Sequence, residues 1–143
     1  MPIQRVMDVL TLSKRDLMLA SLDLVAEAGV DIVPAYFERF FALYPADAEN
    51  FHNRASAQGA MVNEMLTMLL AQAAGEDWVP MIMRAQVTTH YTHGDIALEQ
   101  YRGALTLLVD VLRDTAGSGW TAAYEQAWSE EAEALFALIA RYH

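Results

Sequence analysis

Apolar side chains recur along this chain at intervals of three and four residues, the spacing of one face of an α-helix. Ser13 and Asp16 resemble a capping box, which predicts a first helix from there to Gly29. Asp31 is a favourable N-cap for a second helix, which is predicted to run to Pro45. The apolar faces of these helices are predicted to hold Leu17, Ala20, Leu24 and Ala28, and then Val33, Phe37, Phe41 and Tyr44.

Four more helices follow from the same spacing. They are predicted to begin near Ala55, to run from Trp78 to His90, to begin near Ala97, and to run from Thr121 to Tyr142. The stripe of the third helix contains apolar residues and one amide, Gln58. Because alternation with a period of two residues is not sustained anywhere, the sequence predicts an all-α fold.

The chain has 143 residues, of which 55% are hydrophobic, so one folded domain spanning residues 1–143 is expected. Nineteen acidic residues against nine basic ones give a formal net charge of -10, which repels phosphate backbones and anionic membrane surfaces. Neither nucleic acid nor a membrane is therefore an expected partner. The absence of cysteine excludes disulfides, thiolate metal ligands and cysteine nucleophiles, and it favours a cytoplasmic location.

Two histidines near the end of the fourth predicted helix are candidates for metal chemistry. His90 ends this helix among apolar residues, and His93 follows it next to Gly94. The sequence contains no HExxH pattern. No second helix offers a carboxylate and a histidine that could complete a metal site with them. By local pattern alone, His90 is most often a capping or solvated residue, and Gln58 is most often a core amide. A helical protein-interaction domain is therefore an open alternative at this point.

Four segments of the chain are informative when they are taken together and in order. They are ERFFALYPADAENF, QGAMVNEMLT, HYTHGDI and GWTAAYEQAWSEEAEALFALIARY, and thirty-two residues separate Gln58 in the second segment from His90 in the third. In this order and spacing, from Ser13 to Tyr142, the chain resembles the globin family, especially bacterial single-domain globins and the haem domain of flavohaemoglobins. The resemblance implies a globin fold of about six to eight helices around a haem pocket.

The resemblance also assigns a role to each candidate site residue. It implies haem b with His90 as the axial iron ligand, since a neutral imidazole is a proper ligand for haem iron. It further implies that Phe51 packs on the haem face and that Gln58 and Val62 line the side where a diatomic gas enters. The other residues expected around the haem are Phe37 on the gas side, and His93, Arg54 and Tyr101 at the pocket edge.

Two positions depart from the family pattern. Phe37 stands where bacterial globins often have a tyrosine that donates to the gas. Tyr36 beside it points about 100° away on a regular helix, so it can serve only if the local register differs by one residue. Stabilisation of the gas is therefore expected mainly from Gln58. Gln86 stands where an apolar residue is usual, and its carbonyl or the Thr89 hydroxyl is expected to accept a hydrogen bond from His90.

The resemblance leaves three functions open. Reversible binding of O2, NO or CO, for storage, transport or sensing, needs only the haem pocket. Nitric oxide dioxygenation, which resembles flavohaemoglobin chemistry, needs an external reductase as electron donor, because these 143 residues contain no reductase domain. The third function is that of a haem-free interaction or sensor domain. A homodimer is an additional expectation.

Overall fold

The computed structural model describes residues 12–51, 55–93 and 96–143. Within these ranges the backbone forms six α-helices, two short 3-10 helices and no β-strand. The α-helices are α1 (Lys14–Glu27), α2 (Ile32–Leu43), α3 (Ala55–Ala73), α4 (Val79–His93), α5 (Leu98–Ala116) and α6 (Ala122–Tyr142), and the 3-10 helices are Pro45–Phe51 and Gly117–Gly119. The prediction of an all-α fold with about six to eight helices is confirmed. None of the helices in these ranges is long and apolar enough to cross a membrane.

The ends of the helices follow local sequence signals. The side chains of Ser13, Asp31 and Thr121 each accept a hydrogen bond, at 3.0–3.2 Å, from a backbone N–H two or three residues later. These bonds satisfy N–H groups that the first turn of a helix leaves without a partner. Gly29 and Gly75 follow the ends of α1 and α3 with φ angles of 68° and 76°, a conformation that side chains with a Cβ rarely adopt.

The last helix, α6, is the centre of the packing. It contacts α1, α3, α4 and α5, while α2 packs mainly against α5 and also contacts α3. The Trp128 side chain of α6 is fully buried, and its indole N–H donates to the hydroxyl of Ser21 on α1 at 2.8 Å. That hydroxyl in turn donates to the Met18 carbonyl at 2.6 Å. The one polar atom of a large buried ring is thereby satisfied, which avoids the cost of an unpaired buried donor.

The deeply buried residues of the first two helices agree with the predicted faces only at Phe37. In α1 they are Met18, Ser21 and Val25, and in α2 they are Tyr36, Phe37 and Phe40. The residues predicted for the face of α1 lie beside this stripe, and Ala28 is exposed. The difference arises because apolar residues occupy more than one side of each helix, so that the neighbouring helices decide which side is covered.

A buried carboxylate joins three helices. Glu131 on α6 is 7% exposed, and the side-chain amide of Gln72 on α3 donates to its carboxylate at 2.7 Å. The Lys14 ammonium at the start of α1 lies 3.2 Å from the same carboxylate and 2.8 Å from that of Glu130. A charged group is tolerated at this depth because it is both paired and hydrogen-bonded.

Candidate functional site

His90 and Tyr101 come together where α4 approaches the start of α5. The Nδ1 atom of His90 lies 2.8 Å from the Tyr101 hydroxyl oxygen, and the two ring centroids are 5.6 Å apart. Both side chains are half-buried. A hydrogen bond of this length fixes the orientation of the imidazole ring and makes one of its two nitrogens distinct from the other.

The chemistry of this pair depends on which group donates the proton. For Nε2 of His90 to bind a metal ion, its lone pair must be available, so Nδ1 carries the proton and donates it to the tyrosine oxygen. Tyr101 thus supplies the Nδ1 contact that was expected from the Gln86 carbonyl or the Thr89 hydroxyl. The Thr89 hydroxyl donates to the carbonyl of Ala85, one turn earlier on α4, at 2.9 Å.

The residues predicted for the gas side lie on α2 and α3. Val62 and Phe37 are each 2% exposed, and Gln58 is half-buried one turn before Val62. The Phe37 ring packs at 5.0–5.6 Å, centroid to centroid, against three aromatic rings of its own helix, those of Tyr36, Phe40 and Phe41. This packing keeps the Phe37 ring within the apolar interior.

Tyr36 directs its hydroxyl towards the backbone of α5. The hydroxyl donates to the carbonyl of Ala104 at 2.9 Å and lies 3.9 Å from the Met65 sulfur. Burial, and to a smaller extent the neighbouring Tyr44, raises the pKa of the Tyr36 phenol. The hydroxyl is therefore neutral and is held by its bond to α5.

Three predicted residues lie wholly or partly outside the described part of the structure. Phe51 is the last residue of the first 3-10 helix, and His93 is the last residue of α4, three residues beyond the predicted end of that helix. Their side chains are outside the described part, and so is the whole of Arg54. Their expected contacts with haem stay predictions.

A second histidine, which is not among the predicted site residues, approaches the pair. His143 follows the end of α6, and its ring lies 5.9 Å from that of Tyr101 at an interplanar angle of 81°. Its Nε2 atom lies 2.7 Å from the carbonyl oxygen of Ile96. No local pattern marks His143, because its neighbours belong to helices that are distant in the sequence.

A single histidine meets the protein-side requirement of a haem iron. Within the described ranges, no three His, Cys, Asp or Glu side chains come together to hold a metal. A bare divalent cation takes three or four protein ligands, whereas a porphyrin supplies the equatorial nitrogens and needs only an axial ligand such as one imidazole. His90, oriented by Tyr101, meets that lower requirement.

Comparison of the chain with protein-family models, with curated proteins and with solved structures finds no match.

Proposed function

We propose that this protein is a haem-binding globin that reversibly binds oxygen or another diatomic gas through iron held by His90. The observation that supports the proposal most is the 2.8 Å contact between Nδ1 of His90 and the Tyr101 hydroxyl. Histidines that bind metals generally donate their other ring N–H to a neighbouring acceptor, which fixes the tautomer and raises the basicity of the ligating nitrogen. With Nδ1 engaged in this way, Nε2 of the half-buried His90 would be the nitrogen that holds the iron.

The helices that carry the candidate residues are neighbours. Gln58 and Val62 belong to α3, His90 belongs to α4, and both helices pack on α6 and contact each other. The order of these residues in the sequence agrees with the resemblance to globins, in which one helix lines the gas side and the next supplies the iron ligand.

Each residue has a distinct role in this proposal. When bound, haem supplies an iron atom with a coordination position for a diatomic gas. Val62 and Phe37, which are almost fully buried, exclude water from the gas side. The amide of Gln58 would offer an N–H donor on the gas side, a contribution of about 1 kcal/mol for a neutral hydrogen bond.

Reconstitution with hemin tests the proposal directly. Purified protein is titrated with hemin, and the absorbance is followed before and after reduction and addition of carbon monoxide. We expect a saturable Soret band that shifts with carbon monoxide, and the loss of this spectrum in His90→Gly. Thr88→Ala, at an exposed position on the same helix, is the matched control and keeps the wild-type spectrum.

Two outcomes would count against the proposal. If the wild-type protein develops no Soret band with hemin, the protein is a haem-free helical domain. If His90→Gly binds hemin and carbon monoxide as the wild type does, His90 is not the ligand. Addition of imidazole to His90→Gly is the further check, because a small ligand in the vacated space is expected to restore the axial bond and the spectrum.

Oxygen release on lowering the oxygen pressure then tests reversibility, and consumption of nitric oxide with an added reductant tests dioxygenase activity.

A further inference from the structure

The end of α6 meets the connection between α4 and α5 through His143. The imidazole Nε2 of His143 lies 2.7 Å from the carbonyl oxygen of Ile96, which is two residues before the start of α5. A carbonyl oxygen only accepts hydrogen bonds, so Nε2 of His143 is the donor. This hydrogen bond links the backbone at Ile96, just before α5, to the residue that follows α6.

The same imidazole also limits the freedom of Tyr101. The rings of His143 and Tyr101 are nearly perpendicular, at 81°, with centroids 5.9 Å apart, which is a favoured arrangement for two aromatic rings. Tyr101 in turn contacts Nδ1 of His90 at 2.8 Å. Three side chains from the ends of three helices thus form one sequence of contacts, from α6 through α5 to α4.

A tyrosine hydroxyl keeps a hydrogen bond of normal length only if its ring and its backbone are both held in place. The T-shaped contact with His143 acts on the ring of Tyr101, and the bond to Ile96 acts on the backbone five residues before it. Loss of the imidazole removes both constraints at once. The hydrogen bond between the Tyr101 hydroxyl and Nδ1 of His90 is then expected to weaken.

We propose that His143 is a positioning residue for His90, which acts through Tyr101 by holding its ring and the backbone at Ile96. The importance of this role for iron rests on the proposed function. The hydrogen bond between His90 and Tyr101 joins two protein side chains, so it is measurable in protein without haem. The two proposals therefore fail in different experiments.

The first test uses the protein without haem and measures the 15N chemical shifts of the His90 ring by NMR. Tyr101→Phe gives the reference value for a His90 ring that lacks the hydroxyl. We expect His143→Ala to move the Nδ1 shift of His90 towards this reference. Solvent exchange of the proton between Nδ1 and the Tyr101 hydroxyl is expected to become roughly threefold faster, the effect of losing one weak hydrogen bond. His143→Gln retains an N–H donor for the Ile96 carbonyl and is expected to restore part of the difference.

Two controls separate positioning from a general loss of structure. Arg141→Ala changes another exposed residue of the last turn of α6 and is expected to leave the His90 shifts at their wild-type values. In a Tyr101→Phe background, His143→Ala is expected to cause no further change, because the intermediate hydroxyl is absent. Circular dichroism checks that every variant keeps its helices, which is expected because His143 is exposed.

The second test uses the reduced, haem-loaded protein and measures the iron–histidine stretching frequency by resonance Raman spectroscopy. His143→Ala and Tyr101→Phe are expected to shift this frequency in the same direction, and His143→Ala by the smaller amount. Unchanged His90 nitrogen shifts in folded His143→Ala would overturn the positioning role, whatever haem does. A failure to bind haem, combined with the expected NMR changes, would overturn the proposed function and leave the positioning role supported.

Discussion

Replacement of Gly103 by alanine tests how closely α2 and α5 approach each other. Gly103 lies inside α5, and a Cβ atom added there would overlap the hydroxyl oxygen of Tyr44 and lie 3.1 Å from its Cζ atom. Tyr44 follows the end of α2 and is half-buried, so it has to move to make room. The hydroxyls of Tyr44 and Tyr36 thus meet α5 at two successive residues, Gly103 and Ala104.

The expected free-energy change combines two opposing effects. Overpacking of this kind costs roughly 1–3 kcal/mol. Alanine is favoured over glycine in the interior of a helix by about 1 kcal/mol, which offsets part of that cost. Gly103→Ala is therefore expected to lower the free energy of unfolding by about 1 kcal/mol.

The sign of the effect is expected to change when the Tyr44 hydroxyl is absent. In Tyr44→Phe the nearest remaining ring atom lies 3.1 Å from the added Cβ, so little movement is needed. Gly103→Ala is then expected to raise stability by up to about 1 kcal/mol, which makes the coupling between the two substitutions about 2 kcal/mol.

Urea unfolding of the four proteins in this cycle, followed by tryptophan fluorescence and circular dichroism, measures the coupling. If Gly103→Ala stabilises the wild type as much as it stabilises Tyr44→Phe, the close approach of Tyr44 to α5 is refuted. Equal slopes of the transitions are needed for the comparison, because a changed slope signals a change in the unfolded state or in the cooperativity of unfolding.

Three further predictions concern single side chains. Tyr36→Phe removes the hydrogen bond to the Ala104 carbonyl and is expected to cost about 1 kcal/mol in urea unfolding, while oxygen dissociation from the haem-loaded protein stays unchanged. Phe37→Tyr adds a hydroxyl on the predicted gas side and is expected to slow oxygen dissociation roughly fivefold in stopped-flow measurements, and an unchanged rate would remove Phe37 from that side. Lys14→Met is expected to lower stability near neutral pH, because hydrogen bonding to Glu130 raises the pKa of Lys14 and the same bond lowers the pKa of Glu130. In denaturation curves, the deficit relative to wild type should disappear as the pH falls below 4.5, the usual pKa of the glutamate, and again as it rises above 10.5, that of the lysine. A deficit independent of pH would contradict this ion pair.

The candidate site was predictable only in part. The sequence named His90 and Tyr101 separately, one as a ligand and the other as a pocket-edge residue, because the resemblance to globins assigns roles one position at a time. The structure joins them through a 2.8 Å contact. Gln86 and Thr89 were expected as partners of His90 because they are close to it on one helix, whereas the observed partner lies eleven residues later, on the next helix.

The sequence by itself determined where α1, α2 and α6 begin and where α1 ends. Ser13, Asp31 and Thr121 cap helices through bonds that reach only two or three residues, and Gly29 ends α1 through its own backbone conformation. Signals of this range are fully contained in a short segment, so they are readable without the fold.

The tertiary structure alone decided which side of α1 is buried and which distant groups meet. The buried stripe of α1 contains Ser21 because Trp128 of α6 needs an acceptor for its indole N–H, and the Tyr36 hydroxyl turns to α5 because the Ala104 carbonyl lies within reach. His143 came to the candidate site in the same way, from the far end of the described chain. Such contacts depend on the relative positions of whole helices, and those positions follow from the summed packing of many side chains rather than from any one segment.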